Sequence, residues 1–175
     1  MIAALLAIAV FVALALVVVR WSEVDYERHE RLTTRSTIGA WLLYLFHADT
    51  VATASYAGAL EVRVLPSVVA LAAGIIVGAL GLALFLAATT RLARATDSDE
   101  AQLATTGPYA LMRHPQNIGW GLVLMGIAFA GRSVLALLLV GLFGVFVRRY
   151  TDVEERHMAS RFGDRWQRYQ PRWGP

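Results

Sequence analysis

Apolar residues run in five long, nearly unbroken stretches, at residues 2–19, 37–60, 66–88, 116–131 and 133–147, rather than as the single stripe of a soluble amphipathic helix. Each predicts a membrane-crossing helix. The third carries no charge over 23 residues and at 1.5 Å per residue extends roughly 34 Å, more than a hydrocarbon core of about 30 Å. The first ends against Arg20 and Trp21, a pair suited to the membrane interface. It lacks the basic leader of a cleaved signal peptide and reads as a retained helix. The last two stretches are 16 and 15 residues long, separated by Gly131-Arg132, and reach only about 23 Å each. They predict a short, tight helical hairpin.

Composition supports the pattern. The chain of 175 residues is 57% hydrophobic and 17% charged, with a mean hydropathy of +0.53, against about 45–50% apolar and about 25% charged in an ordinary soluble domain. A soluble globule is excluded, and the length suits one domain covering 1–175. The absence of cysteine rules out disulfides, thiolate metal sites and cysteine nucleophiles. Every one of the 16 basic residues is arginine, as a GC-rich genome produces, which points to a bacterial chain and its plasma membrane. A formal net charge of +3 is too small to argue for a nucleic-acid partner.

Where the arginines fall is more informative. If all five stretches cross, fourteen of the sixteen share one side and only Arg63 and Arg132 lie opposite. The positive-inside rule then sets the N-terminus outside and the C-terminus in the cytoplasm. Residues 20–35 alternate acids with arginines and read as a solvated helix with i,i+3 and i,i+4 pairs. Gly74, Gly78 and Gly81 can pack helices within one chain or between chains, which leaves the oligomeric state open.

Two polar clusters flank the hairpin on the cytoplasmic side. The first is Thr105-Thr106-Gly107-Pro108-Tyr109 followed by Arg113-His114-Pro115, with Gly-Pro marking a turn and Pro115 suited to a first helical turn. Taken alone it is also a loop with a snorkelling arginine and interfacial Tyr and His. The second is Asp152-Val153-Glu154-Glu155-Arg156-His157. Topology brings Arg113 and His114 near Glu154 and Glu155, as a structural ion-pair network or as a pocket for a ligand carrying both charges. Beyond it, Val153, Met158, Phe162, Trp166, Tyr169 and Trp173 recur among arginines and predict an interfacial amphipathic tail that Gly163 breaks. In the second stretch His47 and Asp49 fall about 15–18 Å along the helix, near the bilayer midplane, where ionisable groups are functional candidates or polar interhelical contacts.

Thr106-Gly107-Pro108-Tyr109, Arg113-His114-Pro115, an apolar hairpin, Glu154-Glu155 and then 162–169 (FGDRWQRY), in that order, resemble the isoprenylcysteine carboxyl methyltransferases. Phospholipid N-methyltransferases are more distant relatives. The resemblance covers residues 103–169. It implies an all-α integral membrane enzyme of five transmembrane helices that binds S-adenosylmethionine, and releases S-adenosylhomocysteine, in a cytoplasmic pocket built from segments 101–115 and 148–170. A lipid-like substrate would enter from the surrounding membrane lipids. By position, Tyr109, His114, Pro115, Asn117 and Gly119 would line the cofactor site, Glu154 and Glu155 would hold its ammonium end, and Arg113 would face an anionic group of substrate or cofactor. His47 with Asp49, or His114, would supply a base where the acceptor must lose a proton. No metal is required. Two positions depart from the pattern: Ala101 where many members have His, and Asn117 where many have Tyr. The second reshapes the wall beside Gly119-Trp120-Gly121, so the acceptor is not inherited with the family.

Two other readings stand beside this one. Membrane sterol reductases carry a similar Arg-His-Pro hairpin and use NADPH, but Asp97, Asp99 and Glu100 in the preceding loop disfavour a multiply anionic cofactor. A non-catalytic accessory membrane protein would keep the hairpin and lose the chemistry.

Overall fold

A computed structural model describes residues 2–57, 60–61, 66–96 and 103–169. Six α-helices account for nearly all of them: α1 (Ile2–His29), α2 (Thr34–Tyr56), α3 (Ser67–Thr96), α4 (Pro115–Ala130), α5 (Val134–Phe162) and α6 (Asp164–Arg168). A 3-10 turn, Gly107–Ala110, precedes α4. No β-strand occurs among the described residues, where Glu61 and Ser133 form a lone bridge. Arg63, the loop acids Asp97, Asp99 and Glu100, the departure at Ala101 and the tail residue Trp173 lie outside the described residues.

The helices outrun the apolar stretches that announced them. α1 continues to His29 and α3 to Thr96. Charge ends a hydrophobic run but not a helix, which propagates until a breaker or an unfavourable backbone stops it. α1 stops where Glu30 adopts φ 55°, and α5 runs through Arg148-Arg149 to Phe162 and stops at Gly163, φ 50°. Residues 153–162, expected in an interfacial tail, therefore carry α5 onward. Only the five residues of α6 follow the break.

Among the described residues, three helices are long and apolar enough to cross a membrane: Leu5–His29, Ser67–Ala95 and Val134–Phe162. α2 has the length, but Ser36, Thr37, His47, Asp49, Thr50 and Thr53 dilute its hydropathy. α4 has 16 residues, about 24 Å, and is too short to span a full core unaided.

The most extensive helix contact is α3 against α4, and glycine makes it possible. A Cβ on Gly74 would fall 2.5 Å from the Gly126 carbonyl oxygen, and one on Gly81 would fall 2.7 Å from that of Gly119. The backbones touch at both points, the close approach that small residues permit where helices associate in lipid. The glycine stripe of α3 thus serves packing within the chain. α2 is docked on α1 by Asp25, whose carboxylate accepts from the Thr33 backbone N–H at 2.7 Å and its hydroxyl at 2.6 Å. It caps the next helix from the previous one. Of the acid-rich segment read as solvated, Arg20 and Glu23 do pair at i,i+3, but Glu23 also meets Arg156 of α5. Phe11, Leu43, Val51, Leu124, Phe143 and Phe146 fill the centre, while Leu6, Leu16, Val68, Ile75, Ile76 and Leu80 point outward.

At the far end from the polar clusters, the α4–α5 turn is pinned from both sides. The Ser133 hydroxyl accepts from the Ala136 N–H at 3.2 Å. Arg132, at φ 50°, pairs with Glu61, and Gly131 lies against Ser55 so closely that a Cβ would clash. This turn aims α4 and α5 back side by side, so the start of α4 meets the second half of α5.

Candidate active site at the α4–α5 mouth

The site begins with a local backbone device. Gly107 at φ 65° opens the 3-10 turn and Pro108 fixes φ at its second residue, with Tyr109 buried next. The Tyr109 hydroxyl donates to Gln116 Oε1 at 3.0 Å, and its carbonyl accepts from the Tyr169 hydroxyl. Burial, then the nearby Glu154 carboxylate, push the Tyr109 hydroxyl well above its ordinary pKa and keep it a donor. One phenol thus ties the loop to α4, and another ties it to the segment after α6.

His114 occupies the N-cap position of α4 without donating a cap, with Pro115 buried behind it in the first turn. Its ring lies between two carboxylates. Nε2 is 3.1 Å from Glu155 Oε1, and Nδ1 is 3.4 Å from Glu154 Oε2, close enough for an ion pair but not aligned as a hydrogen bond. Burial works against the charged imidazolium, but Glu154 and Glu155 outweigh it and hold the His114 pKa above its ordinary value of 6.5.

Arg113 completes the cluster. Nη1 is 3.6 Å from Glu155 Oε2, Nη2 donates to the Tyr169 carbonyl at 3.4 Å, and the guanidinium lies 4.8 Å from the centre of the Trp166 ring. Its Nε is buried with no partner among the described residues. Among the described residues, Glu155 pairs with both cations, whereas the ion pair of Glu154 is with His114.

That difference matters because Glu154 faces two cavities. One, under α6, is lined by Tyr109, Arg113, His114, Glu154, Met158 and Trp166. The other lies between α2, α3, α4 and α5 and is lined by Trp41, Tyr44, Phe85, Asn117, Tyr150 and Glu154. Leu92 and Glu154 border both. A charged chamber and an aromatic chamber meet at a carboxylate. Such a pair can hold a zwitterionic ligand on one side and an apolar one on the other.

The sequence profile of the phospholipid methyltransferase family matches residues 69–165 of this chain, more than half of it. The chain belongs to this family. No curated protein and no solved structure matches. This member of the phospholipid methyltransferases is an all-helical membrane protein, and the family implies S-adenosylmethionine as methyl donor. The matched region runs from the start of α3 to α6 and contains both clusters of the site.

In this phospholipid methyltransferase the structure brings together Tyr109, Arg113, His114, Glu154 and Glu155, with Pro115 directly behind them. The other candidates lie elsewhere. His47 is fully buried in the helix core, stacked on Phe143, and its Nε2 donates to the Leu139 carbonyl at 2.9 Å. Asp49, two residues on, is exposed, and neither borders either cavity. Gly119 packs against Gly81 and Phe85 of α3, which leaves it no room to touch a ligand. Asn117 borders the aromatic cavity, not the charged one. Trp166 and Tyr169, read as interfacial anchors, are buried against the site. Tyr150, Glu154, Met158 and Arg161 recur every three or four residues on α5, the one sequence signal that could have extended the site along that helix.

Proposed function

We propose that this chain transfers a methyl group from S-adenosylmethionine to a small lipophilic or lipid-like acceptor at the cytoplasmic face of the membrane, as a single domain. Within the wider family we read it as similar to the isoprenylcysteine carboxyl methyltransferases, on the order of its Arg113-His114-Pro115 and Glu154-Glu155 motifs. In this reading all of α1 to α5 cross, the N-terminus is outside and the arginine-rich segments are inside, in keeping with the positive-inside rule. The observation that carries the proposal is the shared wall: Glu154 borders a charged cavity and an aromatic one.

The donor set of the first cavity fits the cofactor. Glu154 suits its ammonium, Arg113 with its unpartnered Nε suits its carboxylate, and the rings of Tyr109 and Trp166 suit its adenosyl part. When bound, S-adenosylmethionine supplies a methyl carbon already activated by sulfonium. The protein's part is then alignment and the exclusion of water. Glu155, occupied by Arg113 and His114, positions those two cations. Tyr169 and Trp166 close the charged cavity from the α6 side, and the rings of Trp41, Tyr44 and Phe85 give the acceptor an apolar approach from α2 and α3.

Calorimetric titration of detergent-purified protein with S-adenosylmethionine, S-adenosylhomocysteine and NADPH tests the proposal. Binding of the two adenosyl ligands alone, weakened in Glu154→Gln, is expected. A response to NADPH alone would replace it with the reductase reading, and no response to any of the three would make the chain an accessory protein.

A further inference from the structure

Asn117 is the departure from the family pattern that the structure makes informative. Its side chain is 94% buried, with 6% exposed. The Tyr44 hydroxyl donates to its Oδ1 at 2.7 Å, so the amide oxygen is occupied as an acceptor. Nδ2 is thereby left as a donor, and it has no partner among the described residues. The indole Nε1 of Trp120, one turn along α4, is likewise buried and unpartnered. Its ring packs 5.8 Å from that of Tyr44 and 5.3 Å from that of Phe85. An unsatisfied N–H is costly in a low-dielectric interior and is retained where a ligand completes it.

Asn117 borders the aromatic cavity, whose only charged wall residue among those described is Glu154. Thr37, Thr89, Gln116 and Tyr150 add polar groups to a wall that is otherwise apolar and aromatic, and Asn117 Nδ2 is the one buried donor on it without a partner among the described residues. We propose that this cavity holds the polar end of the lipophilic acceptor, and that Asn117 Nδ2 determines specificity by donating to an oxygen on it, of the hydroxyl or carbonyl class. This rests on the methyltransferase reading for the identity of the ligand as acceptor, but not for the cavity's chemistry. Tyr44 is the positioning residue, since it holds the amide with Nδ2 free.

The test uses full-length protein in phosphatidylcholine nanodiscs and tritiated hexadecanol, counted against empty discs and competed by hexadecylamine and by hexadecane. Wild type should retain hexadecanol about tenfold better than hexadecane, the value of roughly one hydrogen bond in a buried site. Asn117→Leu should lose that preference. Asn117→Asp, nearly the same size, should reverse it towards hexadecylamine, because the donor becomes an anionic acceptor. Tyr44→Phe, which frees the amide to turn, should weaken the preference without reversing it. Unchanged selectivity in both Asn117 variants, or a wild-type preference for hexadecylamine, would overturn the proposal. S-adenosylmethionine binding is measured on the same preparations. Its absence in wild type, beside intact hexadecanol selectivity, would refute the methyltransferase reading and leave the Asn117 assignment standing.

Discussion

The close crossing of α3 and α4 makes a sharp demand on Gly126. A methyl group there would lie 2.5 Å from the Gly74 carbonyl oxygen and 2.7 Å from both Cα and N of Gly78, where ordinary contact begins at 3.4 Å. The shortfall is about 0.7–0.9 Å, and close-packed interiors feel even one methylene. All three neighbours are backbone, so no rotamer change can relieve the overlap, and Gly126→Ala must force the helices apart by a similar distance. Such overpacking costs about 1–3 kcal/mol, with no compensating gain in lipid, where close packing is itself a main source of helix association. Gly144 on α5 is the control, since nothing lies within reach of a Cβ there. Gly144→Ala should be neutral or stabilising by up to about 1 kcal/mol through helix propensity alone. Unfolding of the detergent-solubilised protein by added sodium dodecyl sulfate, followed by circular dichroism, gives both values. A Gly126→Ala protein as stable as wild type would refute the backbone contact.

Further expectations concern charge and capping. The raised pKa of His114 contributes stability that is complete below 6.5, its ordinary value, and is lost as pH rises through the higher folded value. Melting temperature should therefore decline across that window, and His114→Asn should flatten the decline. Glu154→Gln and Glu155→Gln should each lower the His114 pKa, read from the imidazole carbon resonances, and Glu154→Gln should in addition weaken cofactor affinity. Asp25→Ala removes both hydrogen bonds to Thr33 and should destabilise the protein by about 1–2 kcal/mol, measured by thermal melts.

Much of this architecture was legible because its causes are local. Uninterrupted apolar runs gave α1, α3 and the core of α5; Gly107-Pro108 and Pro115 marked the turn and the start of α4. The meeting of Arg113 and His114 with Glu154 and Glu155 followed from both clusters flanking one hairpin. What escaped depends on neighbours that no spacing reveals. Spacing put His47 and Asp49 near the bilayer midplane, but only the fold shows that His47 meets the Leu139 carbonyl while Tyr44 meets Asn117. The resemblance put Gly119 on the cofactor wall, and the position of α3 makes it a packing surface instead. The end of α5 was misjudged because Arg148-Arg149 end its apolarity and not its hydrogen-bonded ladder. Trp166 and Tyr169 have the composition of interfacial anchors, and the reversal of the chain at Gly163 turns them inward instead.

The unbroken length of α5 has a physical consequence for where reaction takes place. Glu154 lies twenty residues beyond Val134 on the same continuous helix, a distance of about 30 Å, equal to the thickness of a typical hydrocarbon core. If α5 crosses as proposed, with the far turn at Ser133 at one interface, helix length alone would set the carboxylate common to both cavities at the level of the opposite lipid headgroups. In that topology bilayer thickness would become a variable of the chemistry. A thicker membrane draws Glu154 toward the acyl chains and a thinner one lifts it into water, and hydrophobic mismatch of a few ångströms shifts the dielectric in which two carboxylates, one arginine and one imidazolium balance their charge.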